Sequence, residues 1–166
     1  MPTLVTGPTM AALLRERVTE LEAACEGLDA ATASSRSGAD SWCIREHLSH
    51  LHGDDRDTFL DGIRGVLVEG VAELNVTPGI THYTIDRRDV AFPALLGAVC
   101  GQYRAIADLA EAMTPEQLEH RTRIELMEQS PFGSTPKMSE WLGAIADMHL
   151  LGHIAQIRET RAATGA

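Results

Sequence analysis

The sequence predicts an all-α protein, a four-helix bundle, on three observations. Four segments repeat apolar residues at intervals of three and four, the period of a helix with one buried stripe. The composition is 44% hydrophobic but only 4% aromatic, so the core must be assembled from Leu, Ile, Val, Ala and Met, which suit helices. The 166 residues suffice for one sizeable core and carry no internal repeat or linker, so 1–166 reads as a single domain.

The first helix is expected from about Met10 to Leu28, where Met10, Leu14, Val18, Leu21, Cys25 and Leu28 form one stripe. Arg15, Arg17, Glu20 and Glu22 occupy the opposite face. Small polar residues from Asp29 to Asp40 read as a loop. The second helix should begin at "SWCIREHL" and continue to about Glu69. With Cys43 as N-cap, Glu46 falls at the third helical position, where a carboxylate reaches back to the cap amide. Trp42 precedes the cap and is placed to pack on the first turn as a staple. The core stripe of this helix is Ile44, Leu48, Leu51, Phe59 and Ile63.

Gly70 to Asp89 is long for a connection between helices, and long connections are commonly functional. A third helix follows from Phe92 to Met113 with Asp89 as its candidate cap, and Thr114 with Pro115 restarts the chain. Arg121 to Pro136 alternates briefly and predicts one short strand or hairpin, ended by Pro131 and Gly133. The last helix begins between Thr135 and Ser139 and runs to about Ala162.

The formal net charge of −10 excludes a phosphate-reading surface, because nucleic-acid binding needs clustered Lys and Arg. No apolar run approaches the ~20 residues that span a bilayer. "MPTLVTGPTM" lacks the basic and apolar regions of a signal peptide. Cys25, Cys43 and Cys100 have no metal or disulfide spacing and read as reduced thiols. A soluble, cytoplasmic protein is expected.

Five of the seven histidines fall in two helices: His47, His50 and His52 in the second, His149 and His153 in the fourth. Histidines four apart stack on one helix face, the cheapest way for a helix to offer two imidazoles to a divalent ion. The spacing alone equally suits two partly buried histidines bonded to backbone or water. A facing helix would supply the third ligand, as bundle cores do. Periodicity favours His47 or His50, which flank the core stripe from opposite sides, and leaves the choice between them open. Asp54 and Asp55, about one turn on, are candidate bases or ligand-orienting groups, although "DDRD" also reads as a solvated face. Gln156, one turn after His153, could bond a ligand or a buried carbonyl. Tyr103 and Trp141 read as core and rim.

The segment "WCIREHLSHL" resembles the Trp-x-Ile-x-Glu-x-Leu-x-His-Leu motif of the DinB-like four-helix bundles, and "MHLLGHIAQIRE" resembles their closing His-x-x-x-His-Ile-x-Gln-Ile. "MTPEQLEH" matches the turn between them, and the likeness covers about residues 8 to 162. It implies a divalent metal (zinc, nickel or iron) on His50, His149 and His153, with positions left open as in catalytic sites. It also implies a thiol S-transferase or related detoxifying activity on small electrophiles, using a low-molecular-weight thiol such as mycothiol or bacillithiol. The other implied activities are thiol-dependent isomerisation and metal-dependent hydrolysis, and pairing as a homodimer is usual for such bundles. A metal- or ligand-binding stress protein without turnover would need the same histidines but no substrate-sized cavity.

Three departures from the pattern stand out. His47 occupies a position that is usually aliphatic, and Cys43 replaces a Ser or Thr cap, as an inert residue or a reactive thiol. Leu150 and Leu151 stand where many relatives carry a polar residue beside the first His of the pair.

Overall fold

The computed structural model describes residues 5–54 and 58–165. Helix α1 (Gly7–Cys25) starts three residues before the expected Met10, because Thr6 and Thr9 form a reciprocal capping box and Pro8 sits in the first turn. Its predicted stripe is buried from Met10 to Cys25, with Leu14 and Leu21 fully enclosed, but the helix ends at Cys25 and Leu28 lies beyond it, half-buried. The expected loop after it contains one short helix, α2 (Ala30–Ser34), capped by the Asp29 carboxylate on the Thr32 amide at 2.7 Å.

Helix α3 (Ile44–His52) is capped as the sequence predicts: the Cys43 amide donates to Glu46 Oε2 at 2.9 Å. The second helix does not run unbroken to Glu69. It stops at Gly53, whose φ of 78° and ψ of −166° suit only glycine. The chain resumes as α4 (Phe59–Arg64) behind a Thr58–Asp61 capping box and ends in a π turn over Gly65–Glu69. Periodicity carries the stripe across this break, so the interruption is invisible to a pattern count.

The long connection holds strand β1 (Glu73–Leu74) and helix α5 (Ile85–Asp89). Asp89 therefore ends α5 and does not cap the third helix. That helix, α6 (Phe92–Glu111), starts from Ala91 with Pro93 in its first turn. Thr114 caps α7 (Pro115–Glu119), paired with Gln117, as expected. The short strand expected before the last helix is β2 (Arg123–Ile124), but its main partner is β1, in parallel, with Leu74 opposite Ile124. On the other side the Ile124 amide donates to Ser134 O at 2.8 Å. The last helix is α8 (Met138–Gly143), a π turn over Ala144–Leu150, and α9 (Leu151–Thr164), in sequence without a gap.

Four helical columns make the bundle. α1 packs chiefly on α6 and also on α9, while α3 packs on the same two neighbours. A Cβ on Gly7 would lie 2.4 Å from Ala110 O, so glycine is what lets the start of α1 reach the end of α6. Among the described residues no helix is long and apolar enough to cross a membrane.

Candidate metal centre

The centre forms where α3 faces the last helix. His50 leaves α3 in its last turn, and His149 and His153 straddle the junction of the π turn with α9. One ring nitrogen from each lies within 4.8 Å of the others, and all three residues are half-buried. π turns recur at functional sites because the extra residue shifts the register of the helix beyond it. Here His149 lies within the turn and His153 just beyond it.

Hydrogen bonds fix how His50 presents itself. Its Nδ1 lies 2.6 Å from Ile80 O, and a carbonyl only accepts, so Nδ1 carries the proton and Nε2 keeps its lone pair. That Nε2 lies 2.9 Å from His149 Nε2. Two ring nitrogens so close need a proton or a cation between their lone pairs. His149 Nδ1 is 3.4 Å from the hydroxyl of the fully buried Tyr103. His153 Nδ1 is 3.0 Å from Nδ1 of His47. Each member of the trio thus has its Nδ1 beside a partner group, the arrangement that orients metal-binding imidazoles.

Burial keeps the imidazoles of His149, His153 and His47 neutral, as a metal ligand must be. Desolvation, reinforced by His50, pushes His149 down to about 4. His153 is pushed down to about 3 by desolvation and then by His149, His50 and His47. His47 drops to about 4, first through burial and then through His50. The donor set and its protonation therefore fit a divalent metal; three imidazoles suit zinc, nickel and iron alike.

Both histidines left open by periodicity face inward, with different roles. His50 belongs to the trio, whereas His47 touches it only through His153. Trp42 does more than staple the helix start: its ring lies 5.3 Å from that of His47, 5.2 Å from His50 and parallel to His153 at 6.0 Å. Tyr103 is core as expected, but its hydroxyl serves His149, which periodicity gave no sign of. The Gln156 side chain stands by His153 and favours its protonated form, the weakest of the influences on that ring. Cys43 is buried and its thiol is pushed up mainly by desolvation, so it is held protonated and unreactive.

A pocket of about 840 Å³ opens from His50 and His149. Asp54 and Trp141 line it, so Trp141 belongs to the site as well as to the core. Asp55 lies outside the described residues. The long connection roofs the pocket through residues 73–80 and is held at its far end by two buried arginines. Arg45 donates to Tyr83 Oη at 2.9 Å and to the carbonyls of Arg88 and Val90. Arg87 closes the end of α3, donating to Ser49 O at 2.9 Å and Gly53 O at 2.8 Å.

No family model matches the chain, and neither does any curated protein. Among solved structures it is similar to YfiT from Bacillus subtilis, described as a probable metal-dependent hydrolase with an unusual four-helix bundle topology. The TM-score is 0.76 over 99% of this chain and 92% of that one, at 15% identity. The chain thus has the YfiT-type bundle fold that the DinB-like resemblance implied.

Proposed function

We propose that the protein is a metal-dependent hydrolase of the cytoplasm whose metal is held by His50, His149 and His153. The observation that carries this reading is three half-buried imidazoles with ring nitrogens within 4.8 Å, two of which, His50 and His149, line an open pocket of about 840 Å³. A stress protein without turnover would close the site with a fourth protein ligand and need no such cavity. The similarity to YfiT supports the same reaction class at the level of fold.

When bound, a divalent metal supplies Lewis acidity at the head of the pocket. The chain does the rest. The Ile80 carbonyl holds His50 in the tautomer that leaves Nε2 available, and Tyr103 and His47 sit against the Nδ1 atoms of the other two. Asp54, on the pocket lining with His50, is placed to take a proton from water. In the overall change water adds to an acyl carbon and the bond to the leaving oxygen or nitrogen breaks. One proton goes to the leaving group and one to solvent from the new acid. Trp141 and Phe59 line the walls, Phe59 edge-on to His149 with ring centres 5.1 Å apart.

A second reading is transfer of a low-molecular-weight thiol to a small electrophile. The apolar lining favours it, and the lack of a lining Lys or Arg among the described residues disfavours a thiol that carries carboxylates.

Elemental mass spectrometry on the untagged protein tests the centre. About one metal per chain is expected, lost in His50→Ala, His149→Ala and His153→Ala while circular dichroism stays helical. Ester and amide hydrolysis should disappear with it. A wild type that neither carries nor takes up metal would refute the reading.

A further inference from the structure

We infer that the pocket selects an uncharged acyl compound with an apolar tail and rejects anions, an inference that rests on the hydrolase reading and supplies its substrate class. The pocket, about 840 Å³, lies within the range of small-molecule sites. Beyond the histidines its walls are Leu74, Val76, Ile124, Leu126, Trp141 and Ile145. Its polar side chains away from the histidine end are mostly neutral: Thr58, Asn75, Thr77 and Ser130. These can bond an ester, amide or hydroxyl but cannot neutralise a charge.

The carboxylates on the lining are Asp54 and Glu73, and no Lys or Arg lines the pocket among the described residues. Arg123 reaches Glu73 at 3.5 Å, but both side chains are 50% exposed, which places that pair at the outer rim. A carboxylate, sulfonate or phosphate tail would give up water for hydrocarbon walls and meet two acidic groups. The net charge of −10 adds a repulsive field for anions approaching the molecule.

The test uses hydroxamic acids, uncharged at neutral pH, on the protein loaded with the metal it carries, followed by calorimetry. Acetohydroxamic acid reports the metal end alone. Octanohydroxamic acid should bind at least about tenfold tighter, since its chain is buried against the walls. The eight-carbon analogue ending in a carboxylate should lose about tenfold relative to octanohydroxamic acid. Leu126→Lys, on a wall residue 48% exposed, should recover most of that loss. Equal or tighter binding of the carboxylate analogue by the wild type would overturn the inference.

If the wild type holds no metal and acetohydroxamic acid does not bind, the histidine reading fails by itself. Octanamide and its carboxylate-ended analogue, followed by the fluorescence of the pocket tryptophan, then decide the charge selection without a metal. Preference for the neutral amide sustains it, and equal binding ends it.

Discussion

The two halves of the bundle are built from helices of the same kind and settled by different forces. Along the α1–α6 seam nearly every inward side chain is apolar: Leu14, Val18 and Leu21 meet a surface that includes Val99, Ile106 and Ala107, all essentially inaccessible. The Gly7 contact brings the backbones together there as well. Across the bundle, where α3 faces the last helix, the interior holds four imidazoles joined by ring contacts, three of them also against Trp42. Two buried arginines and a π turn stand beside them. The first half gains stability from area removed from water. The second gives up some of that gain to hold neutral nitrogen lone pairs at short range, which is what a metal requires.

The sharpest way to separate the halves is to damage the seam alone. Leu14→Ala deletes a fully buried side chain and should destabilise the protein by about 3 kcal/mol, read as a lower denaturant midpoint. Its metal content per folded chain should match the wild type. A variant that lost metal in step with stability would mean that the seam and the site unfold as one unit.

A smaller effect is expected from the opposite cut. His47→Leu removes the partner of His153 Nδ1 and restores an aliphatic residue where the DinB-like pattern has one. Metal affinity, measured by chelator competition, should fall about tenfold, while the thermal midpoint of the metal-free protein holds or rises as a buried imidazole gives way to hydrocarbon. His47→Gln, with an amide oxygen able to accept from His153, should recover part of the affinity. Unchanged affinity in both variants would remove His47 from the site.

The gentlest perturbation is acid. His47, His149 and His153 protonate only near 4, 4 and 3 when folded, against about 6.5 in an unfolded chain. Between those limits the unfolded state binds more protons, so stability of the metal-free protein is full above pH 6.5 and falls as the pH drops toward 4 and then 3. Leu14→Ala should keep that slope, since the seam holds none of these groups. His47→Leu should flatten it by about a third, one titrating group of three. Equal slopes in the two variants would place the acid sensitivity elsewhere.

Much of the bundle was legible in advance because helical burial is periodic. The α1 stripe, the Glu46 cap, the Thr114 restart and the inward path of Ile44, Leu48, Leu51 and Ile63 all follow from spacing. The break at Gly53 was not legible, since one glycine inside an apolar pattern does not announce its φ. Nor was the pairing of Glu73–Leu74 with Arg123–Ile124, two-residue strands about fifty positions apart.

The sequence by itself determined the helical class, the caps at Cys43–Glu46 and Thr114, the stripes and the histidine pair on one face, because each depends on residues within a few positions of one another. Tertiary structure decided which histidine of α3 joins that pair, that Tyr103, Ile80 and His47 stand behind the three rings, and that the long connection roofs a pocket. Those facts depend on how one helix is rotated and seated against another, and that is settled by packing between residues as distant as 47 and 153.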